Sequence, residues 1–133
     1  MYLENLHLGL VDFPIALYCM TLEKTPVNVN IASPLWPTPK VNKTDTVVDG
    51  VATKMLLDSS LRTTGSGVSG KGIHITASAK VGCFGANKET LSNDGYLALP
   101  VDALGTDFYA VVHSQPAENS EIGVVATSNT IQL

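Results

Sequence analysis

An all-β fold, an antiparallel β-sandwich of Greek-key or jelly-roll type, is predicted by three observations. Apolar and polar residues alternate with a period of two in several short segments. Breaks rich in Gly, Pro, Asn and Ser separate those segments at intervals of about ten residues. Charged residues are few for a chain with this many apolar ones. Successive strand side chains point to opposite faces, so each alternating segment reads as a strand half-covered by a core. Many short strands at such spacing suggest a sandwich or a barrel.

The first strand is expected over residues 14–21. In Val27-Asn28-Val29-Asn30-Ile31 the apolar residues take one face and the asparagines the other. A break follows from Ser33-Pro34 to Pro39. Between residues 44 and 57, Val48-Asp49-Gly50-Val51 is a hairpin signal, because Asp-Gly supplies the two φ > 0 positions of a type I′ turn. Residues 53–61, with Met55, Leu56, Leu57 and Leu61, admit a helix. Their β-branched neighbours and the preceding turn favour a strand ending near Leu57. Ile73-His74-Ile75-Thr76-Ala77 repeats the alternation. A strand over 80–86 contains Gly82 and Gly85, which mark a bulge or a close backbone approach. Ser92-Asn93-Asp94-Gly95 reads as a turn before a strand at 96–99. Val101-Asp102-Ala103-Leu104-Gly105 suits a single helical turn closed by glycine. Strands at 107–113 and 121–127, parted by Gln115-Pro116, complete the set.

Length and composition narrow the function. The 133 residues suit one domain, 1–133, large enough to build its own core. Hydrophobic residues make up 44% and charged residues 15%, with a mean hydropathy of +0.18. Disordered chains combine low hydrophobicity with high charge, so this one is expected to fold. The low charge also suggests apolar surface that meets neighbouring domains or chains. A net charge of −4 and eight scattered Lys and Arg residues argue against nucleic acid, whose binding needs clustered cations. The most apolar stretch, residues 6–20, is broken by Asp12 and Pro14 and is too short to span a bilayer. The amino end carries Glu4 and no nearby Lys or Arg, unlike a signal peptide, so an export signal is expected outside this chain.

Each motif that resembles a chemical site has a plainer reading beside it. Gly65-Ser66-Gly67-Val68-Ser69-Gly70-Lys71-Gly72 contains G-x-G-x-x-G and G-x-x-x-x-G-K, the patterns of phosphate-cradling loops. Both need a helix after the loop, whereas an alternating strand follows. The second also needs Ser or Thr after the lysine, where Gly72 stands. A surface loop is expected. Asp94, Asp102 and Asp107 lie close enough to suggest paired acid–base work. They also suit a turn, a cap and a strand start. Around His7, His74 and His113 the sequence suggests no base or ligand set, and His74 falls on the polar side of its strand. No catalytic, cofactor-binding or metal-binding residue is assigned. Cys19 and Cys83 are either a disulfide across the core or two buried thiols. Asn42-Lys43-Thr44 is an N-glycosylation sequon, with Asn42 as the acceptor. Trp36, among Pro34, Pro37 and Pro39, is either a contact residue on a loop or a lid on one end of the core.

Two longer runs, Gly72-Ile73-His74-Ile75-Thr76-Ala77-Ser78-Ala79-Lys80-Val81 with Phe84-Gly85-Ala86-Asn87, and residues 92–109 (SNDGYLALPVDALGTDFY), carry a resemblance. Together with residues 121–127 (EIGVVAT) they resemble the N-terminal domain of the IgG Fc-binding protein family. The match is strongest over 72–127 and reaches back to Leu17-Tyr18 and residues 25–31. Members are large extracellular or mucus-associated proteins, and the domain also occurs in microbial surface proteins. The resemblance implies a non-catalytic extracellular adhesion module of a larger protein, with a protein or glycoprotein partner. The family's name implies antibody binding, and no motif maps that activity onto residues here. Cys83 departs from the pattern, standing where an ordinary apolar strand residue is expected. The chain begins and ends within the region such domains occupy, so a domain incomplete at both ends is expected. A purely structural or assembly role is the alternative, and a nucleotide- or sugar-handling enzyme a third.

Overall fold

Strands form where polarity alternates, because each then has one face to bury. The computed structural model describes residues 2–3, 14–36, 41–63, 65–88, 93–111 and 122–127. Among these residues the strands, in chain order, are β1 (Tyr2–Leu3), β2 (Ile15–Met20), β3 (Val27–Ala32), β4 (Asn42–Val47), β5 (Thr53–Leu57), β6 (Ile73–Ala77), β7 (Gly82–Lys88) and β8 (Asn93–Ala98). They build two four-stranded antiparallel sheets, ordered β1-β6-β3-β4 and β5-β2-β7-β8, packed as a β-sandwich. Only β3–β4 and β7–β8 are sequence neighbours within a sheet. Every other connection passes from one sheet to the other.

The core fills the space between the sheets. From the first come Val27, Val29, Ile31, Val47, Ile73 and Ile75; from the second, Ile15, Leu17, Cys19, Met55, Leu57, Cys83 and Ala98. Burying a side chain such as Leu17 or Ile31 contributes roughly 1.5–3 kcal/mol over leaving it in water. Leu61, from a 3₁₀ turn at Ser59–Leu61, joins the same cluster. Asp58 caps that turn, its carboxylate accepting from the Ser60 N–H at 2.8 Å. Cys19 and Cys83 face each other across β2 and β7 and are joined as a disulfide, both fully buried. Thr21, buried at the end of β2, knots three segments together. Its hydroxyl donates to the Lys80 carbonyl at 2.7 Å and accepts from the Glu23 N–H at 3.1 Å. Its carbonyl accepts from the Gly50 N–H at 3.1 Å.

β4 departs from simple alternation. Lys43 and Asp45 share the inward side with Val47, opposite Ile31 and Val29, yet Lys43 is exposed and Asp45 half-buried. Val47 alone on this strand reaches the core.

Several sequence expectations need correction. Asp49-Gly50 makes no hairpin: β4 pairs with β3, β5 pairs with β2, and the two belong to different sheets. Of the two central residues only Gly50 has positive φ, +69°, and the Val51 N–H donates to the Val48 carbonyl at 3.2 Å. One positive φ at the second central position suits a type II turn, and type I′ requires two. The turn is a sheet-to-sheet corner. Residues 53–61 divide into strand β5 and the 3₁₀ turn, so no helix spans them. Asn93-Asp94-Gly95 belongs to β8, in register with Lys88, Asn87 and Ala86. The helical turn is a 3₁₀ segment, Val101–Ala103, with Pro100 at its N-cap and Leu104 at its C-cap. Asp102 therefore lies inside the turn and does not cap it, and the closure does not use Gly105. Residues 107–111 and 122–127 form no strand, since no neighbouring strand pairs with them. Residues 112–113 and 121 of those expected strands lie outside the described residues.

Candidate binding surface

Among the described residues, those that suggested chemistry are not brought together into one site. The loop from Gly65 runs directly into β6, so no helix N-terminus faces it, and residues 65–69 are exposed. Lys71 is turned inward from that loop. Its Nζ donates to the Arg62 carbonyl at 2.5 Å and sits 4.9 Å from the centre of the Trp36 ring. Gly70 packs so closely on Leu35 that a Cβ there would lie 2.8 Å from the Leu35 carbonyl oxygen. Trp36 is half-buried and packs against the core. Asp102 and Asp107 are exposed, and Asp107 accepts from the Thr106 hydroxyl at 3.0 Å. The side chain of Asp94 and the residues His7 and His113 lie outside what is described. His74 is half-buried on the outer side of β6, and burial lowers its pKa, with the positive amino terminus adding to the effect. Among the described residues no group of three or more His, Cys, Asp and Glu side chains is placed to hold a metal ion.

The outer faces of the two sheets differ sharply in chemistry. Across β6, β3 and β4 the outward residues are Thr76 and His74, Asn28 and Asn30, and Asn42, Thr44 and Thr46. Their side chains bond to one another along the sheet. Asn30 Nδ2 donates to Asn42 Oδ1 at 2.7 Å and to Thr44 Oγ1 at 3.1 Å, and Thr46 Oγ1 donates to Asn28 Oδ1 at 3.3 Å. This is a solvated face, as antiparallel sheets commonly present on one side. Asn42, the sequon acceptor, is exposed at the start of edge strand β4. Asn30 engages its carbonyl oxygen, so a glycan joined to its Nδ2 would leave that bond intact.

The second sheet turns an apolar face outward. Lys54, Tyr18, Phe84 and Leu97 form one continuous row across all four strands. Phe84 is 41% exposed and Leu97 54% exposed. The Lys54 ammonium lies 5.8 Å from the centre of the Tyr18 ring, at the β5 edge. The adjacent row is Leu56, Ala16, Ala86 and Gly95, in which Leu56 and Gly95 are exposed, Ala86 is half-buried and Ala16 is buried. Met20, 44% exposed, extends the patch beyond Tyr18. Contiguous exposed apolar surface on a folded domain marks a contact site.

Sequence reasoning missed this face. A signal was present in β2, Ile15-Ala16-Leu17-Tyr18-Cys19-Met20, which carries apolar residues on both sides and so reads as a strand covered twice. No family model, curated protein or solved structure matches the chain. No helix among the described residues is long and apolar enough to cross a membrane.

Proposed function

We propose that this chain is a non-catalytic binding module of a larger extracellular protein, and that it engages a protein or glycoprotein through the outer face of β5-β2-β7-β8. The observation that supports this reading most is the contrast between that face and its counterpart. One sheet exposes a hydrogen-bonded Asn and Thr surface, while the other exposes Phe84, Leu97, Leu56 and Met20 beside a half-buried Tyr18. Aromatic and aliphatic anchors in a flat apolar patch are the usual centre of a protein contact. The buried Cys19–Cys83 disulfide and the exposed Asn42 sequon both suit an oxidising, secretory setting. The resemblance to the IgG Fc-binding family supplies the class of partner.

Biolayer interferometry on the immobilised chain tests this, against immunoglobulin Fc, mucin-type glycoprotein and matrix proteins. Binding to at least one is expected, and Phe84→Lys or Leu97→Lys should weaken it by about 2 kcal/mol or more, as for a contact hot spot. Silence across the panel sinks the binding role. Retained binding in both variants sinks the face assignment.

The same apolar face also supports a purely structural reading, in which it packs on a neighbouring domain of the same chain. Hydrogen exchange on the longer parent protein separates the two: protection of residues 82–98 there, with no external ligand, favours the structural role.

A further inference from the structure

The described chain carries two unsatisfied elements that suit each other. β8 is the last strand of its sheet, so one row of its backbone N–H and C=O groups faces no further strand among the described residues. Such an edge is a template for pairing. Further along, residues 107–111 (Asp-Phe-Tyr-Ala-Val) belong to no ladder. Tyr109 and Val111 are each 97% exposed and Phe108 is 71% exposed. Aromatic and β-branched residues favour strands, and large apolar side chains left in water forgo burial they would gain on pairing.

The connection between the two elements runs through a 3₁₀ turn. Pro100 lacks an N–H, and the 3₁₀ turn at Val101–Ala103 is closed by bonds from the Ala103 N–H to the Pro100 carbonyl, 3.0 Å, and from the Leu104 N–H to the Val101 carbonyl, 3.2 Å. Residues 107–111 join no ladder, so the donor segment is not paired with its own β8.

We propose that residues 107–111 of one copy add as a strand to the outer edge of β8 in a second copy, and that the exchange is reciprocal. Each copy offers one donor and one acceptor, so two copies satisfy both pairings and close under twofold symmetry. Main-chain hydrogen bonds hold the added strand, and its alternation divides the side chains between the two faces. Tyr109 and Val111 fall on one side and Phe108 on the other. Whichever side faces outward extends the apolar surface beside Leu97. The pairing uses a sheet edge and not the sheet face, so it stands apart from the partner reading above.

Sedimentation velocity over a wide concentration range tests it, with the chain in its oxidised form. A reversible monomer–dimer equilibrium is expected. Ala110→Pro removes a backbone donor inside the added strand and should weaken dimerisation by about tenfold or more. Because Ala110 is exposed and unpaired, circular dichroism of this variant should match the parent. A second measurement mixes a Leu97→Cys chain with a Tyr109→Cys chain, and a covalent heterodimer is expected on oxidation. The proposal is overturned by a monomer at every concentration, by unchanged dimerisation of Ala110→Pro, or by the absence of a covalent heterodimer between the Leu97→Cys and Tyr109→Cys chains. None of these outcomes bears on the Phe84→Lys test of the binding face.

Discussion

Gly85 shows what the absence of one side chain does for a neighbour. It lies opposite Tyr96 in the β7–β8 register, and a Cβ at this position would collide with the Tyr96 ring. The glycine thus seats the ring across the ladder, while the unbroken β2–β7 register shows no bulge at Gly82 or Gly85. Gly85→Ala is expected to destabilise the fold by about 1–3 kcal/mol, the usual range for overpacking. Urea denaturation measures it, and pairing the change with Tyr96→Ala should recover part of the loss, because the two residues touch. His74 gives a pH dependence. Burial, and after it the charge of the amino terminus, holds its pKa below the ordinary value. The unfolded chain then binds the proton more readily than the folded one. Stability from neutral His74 is complete above the unfolded pKa of ~6.5 and falls as pH drops through and below that value. Denaturation midpoints near neutrality and near pH ~5 should therefore differ, and His74→Gln should narrow the gap. An identical gap in the variant would assign the dependence to other groups.

At the scale of elements, the disulfide ties the two central strands of the second sheet. Cys19 and Cys83 are direct partners with Cα atoms 4.3 Å apart, close to the ~4.5 Å of a non-hydrogen-bonded antiparallel pair. The bond closes a loop of 64 residues, for which chain entropy gives a stabilisation of about 4 kcal/mol. Cys19→Ala with Cys83→Ala should lose about that much in guanidinium denaturation, and an unchanged midpoint would deny the bond a role in stability. β2, β3 and β6 were legible in the sequence because each places Ile, Val or Leu at alternate inward positions that are buried: Ile15 and Leu17, Val27, Val29 and Ile31, and Ile73 and Ile75. The fate of Asp49-Gly50 was not. Turn residues report that the chain changes direction, but not which sheet the next strand joins, and here β5 prefers Leu17 and Cys19 of β2 as neighbours. Asn93-Asp94-Gly95 misled in the opposite sense, because pairing with β7 overrode local turn preference. Residues 107–111 have strand composition and no ladder, since composition cannot supply a partner.

For the whole molecule, the inner faces could be read from alternation and the outer ones could not. Tyr18, Leu56, Phe84 and Leu97 come from four separate segments and meet only through the register of four strands. The polar outer face was half legible, since the asparagines of β3 announced it, while its link to Asn42 depended on β4 lying alongside. That link places the expected glycan on the sheet opposite the apolar patch, where it would leave the patch bare. Secretion from mammalian cells should yield a chain whose mass falls on treatment with peptide-N-glycosidase, with Asn42 converted to Asp. Asn42→Gln should already run at the lower mass, and an unoccupied Asn42 in the secreted chain would refute the assignment. β4 carries a further consequence. With Lys43 and Asp45 set on its inward side, a strand annexed to β4 would bring its own inward side chains against two charges, which disfavours pairing there. The β4 edge is thereby a poor template for a further strand.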